Sequence, residues 1–85
     1  MTKKLELFKK KLLYRASYRG TKEMDILLSS FVKSHIDDFN ELQLQALGDF
    51  LDFEDDIILN FYNHNVVKKN IDQNEISKIF KKFKI

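Results

Sequence analysis

Met24-Asp25-Ile26-Leu27-Leu28-Ser29-Ser30-Phe31-Val32-Lys33-Ser34-His35 carries the strongest periodic signal in this chain. Met24, Leu27, Leu28, Phe31, Val32 and His35 fall at i, i+3, i+4, i+7, i+8 and i+11. That spacing sets them on one side of an α-helix and leaves the polar residues on the other. Thr21 stands just ahead, where a hydroxyl can cap the free N–H groups of a first turn. Gly20 precedes it and is the expected end of an earlier helix, since glycine adopts the left-handed conformation without a Cβ penalty.

Upstream, Leu5, Phe8, Leu12, Leu13 and Ala16 recur at helical spacing from Lys3 to about Ser17, with lysines between them. Such a helix could lie on a membrane surface. A surface helix of a bundle is the preferred reading, because lysine stems routinely cover apolar flanks. Downstream, Asn40 with Gln43 makes a capping box, and Phe39 can staple onto Leu44. Leu44, Leu47 and Leu51, with Ala46 and Phe50 beside them, give a third stripe. A fourth helix is expected to start near Asp52 to Glu54, where acids suit the helix dipole. It buries some of Ile57, Ile58, Phe61 and Tyr62, and a polar loop follows from Asn63 to Asn70. Asp72 with Glu75 forms a second capping box, with Ile71 and Ile76 as its staple. The last helix then presents Ile76, Ile79, Phe80 and Phe83. Proline is absent and only Gly20 and Gly48 break the helix formers. The fold class is therefore all-α, a compact bundle of about five short helices in a single domain over residues 1–85.

With 85 residues, a chain buries roughly 60–65% of the surface that its unfolded form exposes. That supports one thin core and leaves little room for an enclosed active site. There is no cysteine, which excludes disulfides and thiolate chemistry and is compatible with a reducing compartment. No apolar run approaches the length of a membrane span. The N-terminus is basic but carries Glu6, and its apolar positions run on into the next motif, so it reads as mature protein. A bacterial cytoplasm or an equivalent matrix space is the expected location. Charge is strongly segregated. Residues 1–33 carry +6, residues 34–67 carry −8, and residues 68–85 carry +4. A dedicated nucleic-acid binder rarely keeps such an acidic middle, whereas opposite faces suit steering toward a protein partner.

Chemistry-bearing patterns are missing. His35 and His64 sit in no metal-ligand spacing; His35 reads as a partly buried structural residue and His64 as a loop residue. Glu54-Asp55-Asp56 lacks the spacing of a calcium loop and reads as a solvated helix start. Ser17, Ser29, Ser30 and Ser34 have no local base, and no Gly-rich phosphate loop occurs. No catalytic residue and no metal site is assigned.

One stretch stands apart: Arg19-Gly20-Thr21-Lys22-Glu23-Met24-Asp25. Its polar residues gather where one helix ends and the next begins. Exposed N–H groups there can meet acceptors on a partner. Arg19 adds a planar charged fork, and Gly20 removes a side chain where two backbones could approach. A plain interhelical turn with a surface ion pair worth under about 1 kcal/mol reads equally well from physics alone. An Arg19–Glu23 pair along one helix would put cation before acid, an order worth only about 0.2–0.5 kcal/mol. A structural role for Arg19 is therefore expected to be too small to matter for folding.

Leu13-Tyr14-Arg15-Ala16-Ser17-Tyr18-Arg19-Gly20-Thr21-Lys22-Glu23-Met24-Asp25-Ile26-Leu27-Leu28 resembles the hallmark of the succinate dehydrogenase FAD assembly factors, whose signature is Arg-Gly-x-x-Glu. The likeness covers about residues 5 to 83 and thins after Phe53. It implies a small helical bundle that binds the flavoprotein subunit of succinate dehydrogenase, and in some bacteria that of fumarate reductase. It implies that the protein promotes attachment of FAD to a histidine of that subunit. By the same resemblance Arg19, Gly20 and Glu23 face the flavoprotein, and Thr21 and Asp25 join them as candidate partner contacts. FAD would belong to the partner, with no cofactor held stably here. Two departures stand out. Asp55-Asp56-Ile57 occupies the place of the family's Asp-Pro-Asp, with Phe61 at its aromatic position. Tyr18 stands where close relatives often carry a basic residue or His.

The expected function is thus a non-enzymatic, monomeric assembly factor. The rival from another class is a generic helical interaction module that touches no flavoprotein. A nucleic-acid binder using Lys3, Lys4, Lys9, Lys10 and Lys11 is opposed by the acidic middle; it would require steep salt-dependent binding to arbitrary duplex DNA.

Overall fold

The computed structural model describes residues 3–84. Five α-helices follow in order: α1 (Lys3–Ser17), α2 (Lys22–His35), α3 (Glu41–Leu51), α4 (Asp55–His64) and α5 (Glu75–Lys82), with a 3₁₀ turn at Ile71–Gln73 before the last. The all-α expectation holds, and each periodic stripe lies on the helix assigned to it, except that Phe83 falls just past α5 as its extended C-cap.

Local chemistry explains the boundaries. Thr21 takes an extended conformation and its hydroxyl accepts from the Met24 N–H. The Asn40–Gln43 box forms in both directions, with bonds of 2.8 and 2.9 Å. Helix α1 stops at Ser17, whose hydroxyl donates back to the Leu13 carbonyl. Gly20 therefore does not end that helix. It sits three residues later with φ +121°, beyond the left-handed helical region. Helix α4 begins at Asp55 behind Glu54, which makes no side-chain cap, and it runs through His64, which the sequence reading had assigned to the loop. Asn63, expected in the same loop, is likewise helical, and the helix ends on Asn65 in the left-handed conformation that asparagine tolerates best after glycine.

The second predicted capping box does not form. Asn74 caps α5, its side chain accepting from the Ile76 N–H at 2.7 Å. Asp72 lies inside the 3₁₀ turn instead. Asn74 wins because its amide also donates to the Ala46 carbonyl of α3 at 2.9 Å, a tertiary bond that residue spacing does not encode.

Helix α1 packs along α2, and α3 lies against both α1 and α5. The core holds Leu12 and Ala16 of α1, Met24 to Val32 of the α2 stripe, Leu44, Leu47, Phe50 and Leu51 of α3, Ile57, Ile58 and Phe61 of α4, and Ile76 and Phe80 of α5. Phe31 is its hub, with Phe80 and Phe83 at 5.1 and 5.4 Å between centroids and Phe50 at 6.4 Å, all edge-on. These tilted geometries suit the quadrupoles of the rings. His35 is half-buried, as expected, between Phe31 and Phe39. Lys81 of α5 donates to the carbonyls of Phe61 and Tyr62 in the last turn of α4, where the helix dipole favours a cation.

Candidate functional site

The link between α1 and α2 runs over residues 18–21, and its side chains divide into two sets. Arg19 turns inward. Its guanidinium donates from Nε to Asp55 Oδ1 at 2.8 Å, from Nη1 to the Leu51 carbonyl at 2.7 Å and from Nη2 to the Phe53 carbonyl at 2.8 Å. Only 11% of the Arg19 side chain and 29% of the Asp55 side chain remain exposed. Each arm of the planar fork thus holds a separate acceptor on the turn between α3 and α4. Two of those acceptors are carbonyls at the C-terminal end of α3 and just beyond, where backbone oxygens lack helical partners and favour a cation. The Arg19 backbone N–H donates to Asp25 Oδ1 at 2.5 Å, which folds the turn back onto the start of α2.

Gly20, Thr21, Lys22 and Glu23 turn outward and are exposed. A Cβ at Gly20 would meet nothing within 4 Å, so no neighbour in the fold demands the missing side chain there. The backbone does demand it, because φ +121° strains any L side chain. The Glu23 carboxylate has no hydrogen-bond or ion-pair partner among the described residues.

The five candidate contacts are therefore brought together at one junction, but with different orientations. Gly20, Thr21 and Glu23 form an open ledge. Arg19 and Asp25 hold that ledge against the rest of the molecule. The expectation that Arg19 is free of structural work is corrected: its partner is Asp55 and not Glu23, and the contact is mostly buried. Asp55 does open α4, but it is not the solvated residue expected there: it is the mostly buried counter-ion of the motif arginine. The available signal was its place at an acidic position of the Asp-Pro-Asp pattern.

Two surface features flank the junction. An open polar depression of about 490 Å3 is lined by Tyr18, Arg19, Glu54, Asp55 and Asp56. Tyr14 of α1 and Tyr18 of the link lie exposed with ring centroids 4.7 Å apart.

An Arg-Gly-x-x-Glu junction braced in this way sits within a longer match. Residues 10–84 match the protein family described as flavinator of succinate dehydrogenase. The chain belongs to that family.

Among curated proteins it is similar to succinate dehydrogenase assembly factor 2-B, mitochondrial, of Drosophila simulans, with 51% identity over 39 residues, 46% of this chain and 25% of that protein. The Drosophila persimilis protein of the same name is 43% identical over 47 residues, 55% of this chain and 30% of the relative. Succinate dehydrogenase assembly factor 2, mitochondrial, of Meyerozyma guilliermondii is 40% identical over 50 residues, 59% of this chain and 37% of the relative. The chain thus matches between a quarter and about two fifths of the length of these relatives. No solved structure matches. No described helix is long and apolar enough to cross a membrane, and no group of three or more His, Asp or Glu among the described residues is placed to hold a metal ion.

Proposed function

We propose that this family member is a binding module that docks on the flavoprotein subunit of succinate dehydrogenase and promotes covalent attachment of its FAD. The observation that carries the reading is the exposed Gly20-Thr21-Glu23 ledge, braced from behind by Arg19. A ledge held by four hydrogen bonds from one residue loses little conformational freedom when a partner lands on it, and that lowers the cost of binding. Gly20 lets the partner backbone come close, and Glu23 offers a charge that the fold leaves unneutralised.

The chemistry stays with the partner, which supplies the flavin and the histidine. The contribution of this chain is differential affinity for the conformation competent for attachment, since a ligand shifts an equilibrium only by that difference. Fumarate reductase flavoprotein is a second client on the same grounds. The bacterial cytoplasm is the proposed setting, the mitochondrial matrix being the corresponding place for the relatives.

Co-expression with the flavoprotein subunit, followed by in-gel fluorescence of denatured protein, tests the function. Covalent flavin should rise when the wild-type chain is present. Glu23→Ala should lower it at limiting protein levels while the melting point stays put, since that side chain makes no internal bond. Full flavin attachment without the wild-type chain, or unaltered by Glu23→Ala, would overturn the assignment or the surface respectively.

A further inference from the structure

A groove of about 340 Å3 lies beside Glu23, between the start of α2 and the second half of α4. Ile26, Leu27, Leu59, Tyr62 and Asn63 line it together with Glu23. Ile26 leaves 47% of its surface in water, although it neighbours core residues. Leu59 and Tyr62 are partly buried and pack on the core from the far wall. The Tyr62 hydroxyl already donates to the Phe83 carbonyl at 2.6 Å, so its polar tip is occupied and the ring is what remains to offer. The groove is therefore apolar along its length, with an unpaired carboxylate and the amide of exposed Asn63 as its polar parts.

Charge narrows the occupant. Glu23 faces no cation among the described residues, and the groove it borders supplies only apolar or neutral groups. A ligand that brings positive charge next to apolar surface complements it on both counts. Free FAD does not, because its diphosphate is anionic and the groove is at the small end of ligand pockets, which run from about 300 to 1,000 Å3. A protein segment does. Accordingly we infer that the groove receives a segment of the flavoprotein in which a lysine or arginine pairs with Glu23 and a neighbouring large apolar side chain lies between Ile26, Leu27, Leu59 and Tyr62. This rests on the proposed function and extends the docking surface beyond the ledge, along α2 to α4.

The test is a titration of the purified chain against the isolated flavoprotein subunit at two ionic strengths. Ile26→Arg, which removes apolar surface and opposes an incoming cation, should weaken binding more than tenfold. Ile26→Leu should bind like wild type. Glu23→Gln should weaken binding at low salt and flatten its salt dependence, a signature that a packing defect does not produce. Asn63→Arg repeats the test from the α4 wall at an exposed position, should Ile26→Arg melt early. Wild-type affinity in both arginine variants would overturn the groove while leaving the proposed function standing. A wild-type chain that binds no flavoprotein would remove the proposed function and the groove with it. Saturable binding of free FAD, or self-association, that is abolished by Ile26→Arg would give the groove to a cofactor or a second copy and overturn the inference.

Discussion

Arg19 is the residue on which the architecture and the proposed function converge. Truncating it leaves the Asp55 carboxylate without its cation and strips the Leu51 and Phe53 carbonyls of their side-chain donors. Breaking a fully buried pair costs about 3–5 kcal/mol, and about 2–4 kcal/mol is expected here because Asp55 keeps 29% of its side chain in water. For a domain of this size each kcal/mol moves the melting point by roughly 4–8 °C, so Arg19→Ala should melt at least about 8 °C below wild type. Arg19→Lys should recover only a minor part, since a single ammonium cannot span three acceptors fixed by a planar fork. A double-mutant cycle with Asp55→Ala, read by thermal melts, isolates the pair. A neutral Arg19→Ala would mean that the three bonds contribute nothing to the fold. The cost could not be read from the motif, because its acceptors are 32, 34 and 36 residues away and two of them are backbone atoms. Sequence spacing offered only Glu23 as a local partner, a pair too weak to matter, and so the structural role of Arg19 was underestimated.

Among the elements, α5 is where the sequence offers two starts. Asp72 and Asn74 are both capping residues, and Asp72 has Glu75 at the box spacing. Asn74→Ala should cost about 1–2 kcal/mol for the lost cap and about 1 kcal/mol more for the bond to Ala46. Asp72→Ala should stay within about 0.5 kcal/mol, as substitutions away from specific contacts do. Urea melts of the two variants compare them directly, and the opposite ranking would restore the capping box at Asp72. Where a cap answers only to its own helix, as at Thr21 and Asn40, the sequence was legible to the residue. The same holds for the stripes of α2 and α3, whose burial follows from periodicity alone. The start of α5 answers to α3, and the start of α4 is a bare Glu54 with no side-chain bond, so neither was fixed by local pattern.

At the scale of the whole molecule, the charge segregation has an internal use. Lys9–Asp37, Arg15–Asp52, Arg19–Asp55 and Lys69–Glu54 each join a cation from a basic end of the chain to an acid of the middle third. The steering expected from the three charge blocks is thus partly spent inside the fold, and the three exposed pairs, all but Arg19–Asp55, contribute only about 0–1 kcal/mol each. The radius of gyration, 12.2 Å, is close to the roughly 12 Å of a well-packed chain this long. Packing is centred on Phe31, fully buried against α3, α5 and the C-terminal Phe83. Phe31→Ala should cost about 3–5 kcal/mol. A domain of this length has only roughly 4–13 kcal/mol in total. The variant should therefore lose soluble yield and covalent flavin together, whereas Glu23→Ala should lose flavin at normal yield. Equal yields for both, measured beside the melts, would place Phe31 outside the core.

The brace behind the ledge also imposes an order of events on synthesis. Residues 19 to 23 leave the ribosome well before residues 51 to 55, so the nascent chain displays the motif before its support exists. Until the turn after α3 emerges, the Arg19 guanidinium lacks its three acceptors, and ordering the ledge costs conformational entropy that the finished fold has already met. An incomplete or misfolded copy therefore carries the right letters without the right shape. If the proposed function holds, a single distant arginine contact makes the turn after α3 the condition for presenting the ledge in its braced shape.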